Sequence, residues 1–290
     1  RLDCRGRSLL RKDSASAYRF THASIQEFLI ALSVKNGLLP AGKKTIPATD
    51  FVIALLVVCD DAATQWKALD LTLASLSGVN LHHPDFSRTQ LTSAVFAGSV
   101  FHHASFDQAT LTACEADRAK FNSCSFRGIE AANASMRSAE FSGCQFANSK
   151  LAGSTWSGAS FDNCTLDHTL FADTDLNSTV FTKSTIHDCS FKSSRLSAAE
   201  FHDSSLTKVR FDRCSLTGAK FSNTSLQDVS IQSADMRGAE LDTEFLNAIK
   251  SGAVQNWKTA AWDPAIAATL KLSSEENDRN VKSIKSIQNG

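Results

Sequence analysis

Residues 96–111 read Phe96-Ala97-Gly98-Ser99-Val100-Phe101-His102-His103-Ala104-Ser105-Phe106-Asp107-Gln108-Ala109-Thr110-Leu111. An apolar residue returns at every fifth position, and a small one stands two places before it. Outward in both directions the beat runs from Leu71 to Leu241, with Ala116 and Ala131 as its weak members and Leu69, Pro84, Ile129, Val209 and Val229 among the larger partners. At about 100° per residue, a helix would rotate such a stripe around its whole surface. A straight strand would send residues five apart to opposite faces, because its side chains alternate with period two. What remains is a short extended piece with two inward residues, followed by a bend that resets the phase. Each pentapeptide is one side of a coil.

A second period tells how many sides close a turn. Phe101, Phe121, Phe141, Phe161, Phe181, Phe201 and Phe221 form a column at a spacing of twenty, as do Cys124, Cys144 and Cys164, and the pair His82, His83 with His102, His103. Four sides therefore make one coil, and repeats of this kind set the architecture. The tract predicts about nine coils, a rod roughly 40 Å long at ~4.8 Å between stacked strands. Ala116 and Ala131 are expected to thin its core.

With its small residue two before a central Leu or Phe, the stretch resembles the pentapeptide-repeat proteins. The resemblance implies a mainly β fold, a right-handed four-sided parallel β-helix, and that hand agrees with the rule for parallel crossovers. The Asp or Asn that the family often carries just before the central residue is replaced at Ser205, Arg210, Ser215 and Lys220. Those positions face outward, so the fold expectation stands.

Net charge is zero over 290 residues. Residues 67–246 hold 15 Lys and Arg against 20 Asp and Glu. Some members of the resembled family act as DNA mimics on a type II topoisomerase, which requires a contiguous acidic surface. Lys183, Lys192, Arg195, Lys208, Arg210, Arg213 and Lys220 interrupt one here, and the layout of charge governs such binding. Direct nucleic-acid binding is not expected either, because it needs a basic stripe. Six of the eight cysteines, Cys114, Cys124, Cys144, Cys164, Cys189 and Cys214, fall two before a central residue and read as small interior plugs. No C-x-x-C pair points to zinc. The longest apolar run, residues 51–59, is too short to span a bilayer. No membrane partner and a cytoplasmic location are expected, and the start at Arg1, without Met, reads as a cut from a longer chain.

Before the rod, Ser24-Ile25-Gln26-Glu27 forms a capping box that opens a helix with Phe28, Leu29, Ala31 and Leu32 inward. A second helix is expected from Asp50, carrying Phe51, Ala54, Leu55 and Val58. Residues 20–31, Phe20-Thr21-His22-Ala23-Ser24-Ile25-Gln26-Glu27-Phe28-Leu29-Ile30-Ala31, also resemble the segment that ends the NACHT module of STAND NTPases. That resemblance implies that His22 contacts the phosphates of bound ADP in an intact module. The chain itself holds no phosphate loop: at residues 37–44, Lys44 stands where Ser or Thr is required, and a helix rather than a strand precedes it. No cofactor is expected in this chain.

After the rod, Asn256-Trp257-Lys258-Thr259-Ala260-Ala261-Trp262-Asp263-Pro264 resembles an element that follows the repeats in many bacterial pentapeptide proteins. Asp263 and Pro264 suit a helix start, as N-cap and first helical residue. Trp257, Trp262, Ile266 and Leu270 would seal the open end. The division expected is thus a helical segment and cap at 1–66, the β-helix at 67–246, a helical cap at 247–272, and a polar, disordered tail at 273–290.

A filled interior leaves no cleft, and no catalytic constellation stands out, so this chain is not expected to be an enzyme. The weak metal candidates are His82, His83, His102 and His103. Val95, Val100, Leu170 and Val180 are exposed apolar residues that hint at a sticky patch. The function expected is a non-catalytic sensor or protein-interaction region, the C-terminal part of a NACHT-type NTPase. The alternatives are a stand-alone scaffold and, behind it, the topoisomerase-binding mimic. The expected partner is a protein of unknown identity. Self-association would run through the rod ends or an upstream NTPase module.

Overall fold

The structure is a computed structural model that describes residues 69–288 without a break, and before them residues 10–12, 18–20, 31–32, 46–47, 52–53, 56 and 66. From Leu71 the chain winds as a four-sided parallel solenoid of about 8 turns, slightly fewer than the nine coils expected. We number the faces 1 to 4 by the central residues Leu71, Leu76, Leu81 and Phe86 and their successors at intervals of twenty. Face 3 is a nine-stranded parallel sheet, from Asn80–His82 to Glu240–Leu241, and face 4 holds a six-stranded one, from Ser125–Arg127 to Ser225–Gln227. Faces 1 and 2 pair through single bridges, such as Gln90 with Thr110 and Ser75 with Val95. Every pairing within the rod is in register at twenty residues, so like positions stack directly.

The bend falls two residues after each central one. That residue has φ near +50° to +70°, as at His83, Asn133, His168 and Asp188. This is the left-handed region that Asn, Asp, His and Gly enter most readily. The corner is held by the coil above: Leu73 N donates to Thr92 O at 2.9 Å, and many corners also close on a turn bond such as Ala74 N to Leu71 O at 3.0 Å.

The interior is filled by central side chains, and its volume is balanced coil by coil. From Phe101 to Phe146, faces 3 and 4 each contribute a Phe per coil, in edge-to-face pairs such as Phe121 with Phe126 at 5.2 Å. From Phe171 on, face 4 turns aliphatic with Ile186 and Leu206, while face 1 becomes Phe171, Phe191 and Phe211. Trp156 stands where the second aromatic column changes face, touching Phe141, Phe146, Phe161 and Phe171. Ala116 and Ala131, expected to thin the core, lie opposite the paired Phe126 and Phe121 and are fully buried. They make room for the rings.

The small inward residues do more than plug space. Ser149 Oγ donates to Phe126 O at 2.7 Å, Thr224 Oγ1 to Phe201 O at 2.9 Å, and Cys144 Sγ to Phe121 O at 3.2 Å. Each bond reaches the carbonyl of a central residue one coil away, which satisfies a buried hydroxyl or thiol that would otherwise be costly. Burial pushes the thiols of Cys114 and Cys189 up to about 12, so they stay protonated.

At the first end, Trp66 is fully buried with its ring 5.3 Å from Phe86, and Ile46–Pro47 pairs in parallel with Leu69–Asp70. The helical residues Ala31, Val52, Ile53 and Leu56 belong to the same core. Phe51, Ala54, Leu55 and Val58, expected to face inward, lie outside the described residues. So do His22, the capping box at 24–27 and the segment 37–44. An antiparallel hairpin pairs Leu10–Lys12 with Tyr18–Phe20.

At the other end the cap starts earlier than residue 247. Asp242 accepts from Phe245 N at 2.8 Å and opens helix α1, Thr243–Ser251. Phe245 then closes the face 3 column on Phe221, at 4.8 Å. The chain next adds half a coil: Val254–Gln255 pairs with Val229–Ser230, and Ala261 with Asp235. Trp262 is buried, Trp257 is half-buried under Lys258, and Pro264 begins helix α2, Pro264–Thr269. Asp263 occupies the N-cap position, but its carboxylate caps no helix; Oδ2 accepts from Gly238 N at 2.8 Å and ties down the last corner.

Of the tail expected to be disordered, residues 274–288 instead form helix α3, Ser274–Gln288. A capping box starts it, with Ser273 N donating to Glu276 Oε2 at 3.0 Å and Glu276 N to Ser273 Oγ at 3.2 Å. Asn277 then accepts from Trp262 N at 3.0 Å and donates to Trp262 O at 2.9 Å. Ile284 is buried. Polar composition hid Asn277, whose amide substitutes for a sheet edge.

Candidate functional site

Stacking in register brings the four expected histidines together only in pairs. His82 lies on His102 with ring centroids 4.5 Å apart, and His83 on His103 at 4.8 Å, nearly parallel in both cases. Burial, followed by the neighbouring imidazoles with His82 first, holds His102 below its usual 6.5. Stacked rings do not converge on a point. Among the described residues, the one group of three or more His, Cys, Asp or Glu whose ligand atoms lie within 4.8 Å of one another is elsewhere.

That group is Asp167, His168 and His187, on face 4 and its corner. The strands Thr165–Asp167 and Thr185–His187 pair in register, placing Asp167 under His187. The next residues, His168 and Asp188, are both corner residues with φ of 48°. An Asp-His step thus lies on a His-Asp step, and acid and imidazole alternate around a square. Asp167 Oδ1 is 2.8 Å from His168 Nδ1 and 2.7 Å from His187 Nδ1, while His168 Nε2 is 3.2 Å from Asp188 Oδ2. The hydrogen bond from His187, and with it that from His168, keeps the Asp167 carboxyl below the usual carboxylate range. All four side chains are about half-exposed. A search for identical residues at a spacing of twenty passes over this set. A search for complementary ones, Asp167-His168 against His187-Asp188, finds it.

Elsewhere the outer positions carry ion pairs across one coil: Lys120 with Glu140 at 2.9 Å, Glu130 with Lys150 at 3.2 Å, Asp175 with Arg195 at 3.2 Å, and Lys220 with Glu240 at 3.5 Å. Such exposed pairs stabilise little, yet they set positive charge beside negative along the rod. Leu170 is on face 1, Val95 on face 2, and Val100 and Val180 on face 3, so these four form no single patch. Face 1 differs from the others in its middle. Thr112, Ala132, Ala152 and Ala172 stack at one outward position, with Leu170, 47% exposed, beside the last of them. No helix among the described residues is long and apolar enough to cross a membrane.

A closed four-sided coil with a five-residue unit, a filled interior and plain outer faces defines a repeat-built solenoid. The sequence profile described as "Pentapeptide repeat region" matches residues 95–171 and 169–241, and the one described as "Pentapeptide repeats (8 copies)" matches 74–112. The chain belongs to the pentapeptide repeat family. Among solved structures it is similar to HetL, a pentapeptide repeat protein involved in heterocyst differentiation regulation from the cyanobacterium Nostoc sp. strain PCC 7120. The two share 17% identity over 65% of this chain and 89% of that one, with a TM-score of 0.32. Full-length QnrB1, a plasmid-mediated fluoroquinolone resistance protein, shares 15% identity over 66% of this chain and 96% of its own, with a TM-score of 0.31. A pentapeptide repeat protein from the Arabidopsis thaliana thylakoid lumen shares 16% over 62% and 74%, with a TM-score of 0.16. No curated protein matches the chain.

Proposed function

We propose that the rod is a non-catalytic recognition element that docks a protein partner on the middle of face 1. The observation that carries this reading is the contrast between that strip and the rest of the surface. The filled interior offers no cleft, and several charges at other outer positions, Lys120, Asp175 and Lys220 among them, are met by a neighbour one coil away. The strip from Thr112 to Ala172 presents small side chains in one stacked row, beside the mutually paired Glu130 and Lys150 and with Leu170 half-exposed at its end. Small side chains let a partner's surface approach closely, and an exposed Leu supplies apolar area to bury. Photo-crosslinking residues placed at Ala132, Ala152 and Ala172 should capture a discrete protein in the parent cell, and Leu170→Asp should abolish that capture. Equal capture from Ser142 and Asp162 on face 3, or none from face 1, would overturn the assignment.

The resemblance at residues 20–31 supports a second step, in which the rod is the C-terminal recognition part of a NACHT-type NTPase whose nucleotide site lies upstream. The coding sequence upstream of Arg1 tests this step separately. A strand, a G-x-x-x-x-G-K-[ST] loop and an acidic Walker B segment are expected there. A start codon within a few residues would end the NTPase reading and leave the docking face untouched.

A further inference from the structure

We infer that Asp167, His168 and His187 form a binding site for a divalent late first-row metal ion of the zinc, nickel or copper kind, with Asp188 as the carboxylate that orients His168. Three features of the square carry this.

The first is convergence. The two imidazole Nδ1 atoms both face one oxygen of Asp167, at 2.7 and 2.8 Å, and all three ligand atoms lie within 4.8 Å of one another. Ligands on a tetrahedral ion with bonds of about 2.0–2.2 Å sit roughly 3.3 Å apart. The two edges from Asp167 to the imidazoles therefore need to open by only about half an ångström to admit an ion. Because the side chains are half-exposed, small rotations achieve this without disturbing the buried Leu166 and Ile186 beneath.

The second is donor chemistry. Two imidazole nitrogens and one carboxylate oxygen suit zinc, nickel and copper, whereas calcium and magnesium prefer all-oxygen sets. Nδ1 must present its lone pair to the ion, so the ring proton moves to Nε2. For His168, Nε2 lies 3.2 Å from Asp188 Oδ2, within reach of that carboxylate. A metal-bound histidine whose other N–H donates to a carboxylate is the usual supporting arrangement, and it fixes both tautomer and ring orientation.

The third is rigidity. Asp167 and His187 sit on paired strands of adjacent coils, and His168 and Asp188 on corners held by the next coil, through His168 N to His187 O at 3.0 Å and Asp188 N to Thr207 O at 2.9 Å. The ligands' backbone positions are thus set before the ion arrives, and the ion bridges two coils. The stacked pairs His82 with His102 and His83 with His103 bring no third ligand atom and serve as the internal control.

The test is calorimetric titration of the tag-free full chain with zinc chloride and with nickel chloride in a non-chelating buffer near neutral pH. Cobalt spectra and the thermal midpoint are recorded alongside. One equivalent of zinc should bind, raise the midpoint, and give a cobalt spectrum with nitrogen and oxygen donors. His168→Ala/His187→Ala should remove the binding while keeping the circular dichroism of the wild type. Asp188→Asn should weaken binding about 10- to 100-fold without abolishing it. His82→Ala/His102→Ala should change nothing. Should the double variant fail to fold, Asp167→Asn replaces it and should lower the affinity by a similar or larger factor. Absence of heat and of any midpoint shift would overturn the site, as would binding that survives His168→Ala/His187→Ala or disappears in His82→Ala/His102→Ala.

Discussion

Trp156 shows how much a single side chain can decide in a coil of fixed girth. Phe columns run along faces 3 and 4 up to Phe146 and along faces 3 and 1 from Phe171, and Trp156 touches both Phe146 of the old column and Phe171 of the new one. Its indole Nε1 donates to Ser154 Oγ at 2.7 Å, so this buried ring is also satisfied. Trp156→Ala should therefore cost about 3–5 kcal/mol, read as a lower denaturation midpoint, and a loss below about 1 kcal/mol would show that the rings repack across the change. Ala116, on the same face but separated from Trp156 by Met136, behaves in the opposite sense, because the space beside it already belongs to Phe126. Both residues are on the five-residue beat and were legible as inward positions in the sequence. What the sequence left open was the sum over a coil, which a column read by itself does not display. The same blindness hid the acid-imidazole square, since Asp167 and His187 differ in type though they share a register. It also made the inward cysteines and serines look like mere fillers, when several, such as Cys144 and Ser149, donate to a carbonyl one coil away.

At the scale of elements, the solenoid ends are where sequence and structure part company. A β-helix must cover its last strands, which otherwise expose unpaired backbone, and here the cover has three layers. Helix α1 seals the Phe column, residues 254–262 add half a coil, and α3 lies over that half-coil through Asn277 and Asn280, the latter donating to Lys258 O at 2.8 Å and Ala260 O at 3.0 Å. The Trp-rich element and Pro264 were readable because apolar residues and helix starts carry strong local signals. Helix α3 was not, because its polar composition resembles that of a free tail, although Ser273 and Glu276 spell a capping box. Asn277 is the residue on which this docking turns, as it pairs with both backbone groups of the buried Trp262. Asn277→Ala would leave those groups without partners and should cost about 1–3 kcal/mol. The expected signature is local: faster amide exchange over residues 254–262 and 274–288, with the coils before residue 221 unchanged. Loss of protection along the whole rod would instead mean that the cap holds every coil.

For the whole molecule, the central question is whether the rod behaves as one body or softens in the middle. Stability in a solenoid is approximately a sum of unit terms and nearest-neighbour interfaces, so a weak coil should show itself locally. Two Ala centres in adjacent columns would suggest such a point near residues 116–131. The interior argues otherwise, because the coil that contains Ala116 also contains Phe121 and Phe126, and the one that contains Ala131 contains Met136, Phe141 and Phe146. Ring stacking continues through both without a gap, at 5.0 Å from Phe121 to Phe141 and 4.8 Å from Phe126 to Phe146. The backbone ladder is equally unbroken there, with Ala116 N to Ser135 O at 2.7 Å and Ala131 N to Lys150 O at 2.9 Å. Native-state hydrogen exchange should accordingly give near-uniform protection of the inward amides from Leu91 to Ile231, falling only toward the two ends, where each coil has one neighbour instead of two. A dip confined to residues 111–136 would show that side-chain volume, rather than the ladder, limits the rod. With uniform protection the faces are presented on a stiff support, and differences in what they bind then arise from the outward residues alone.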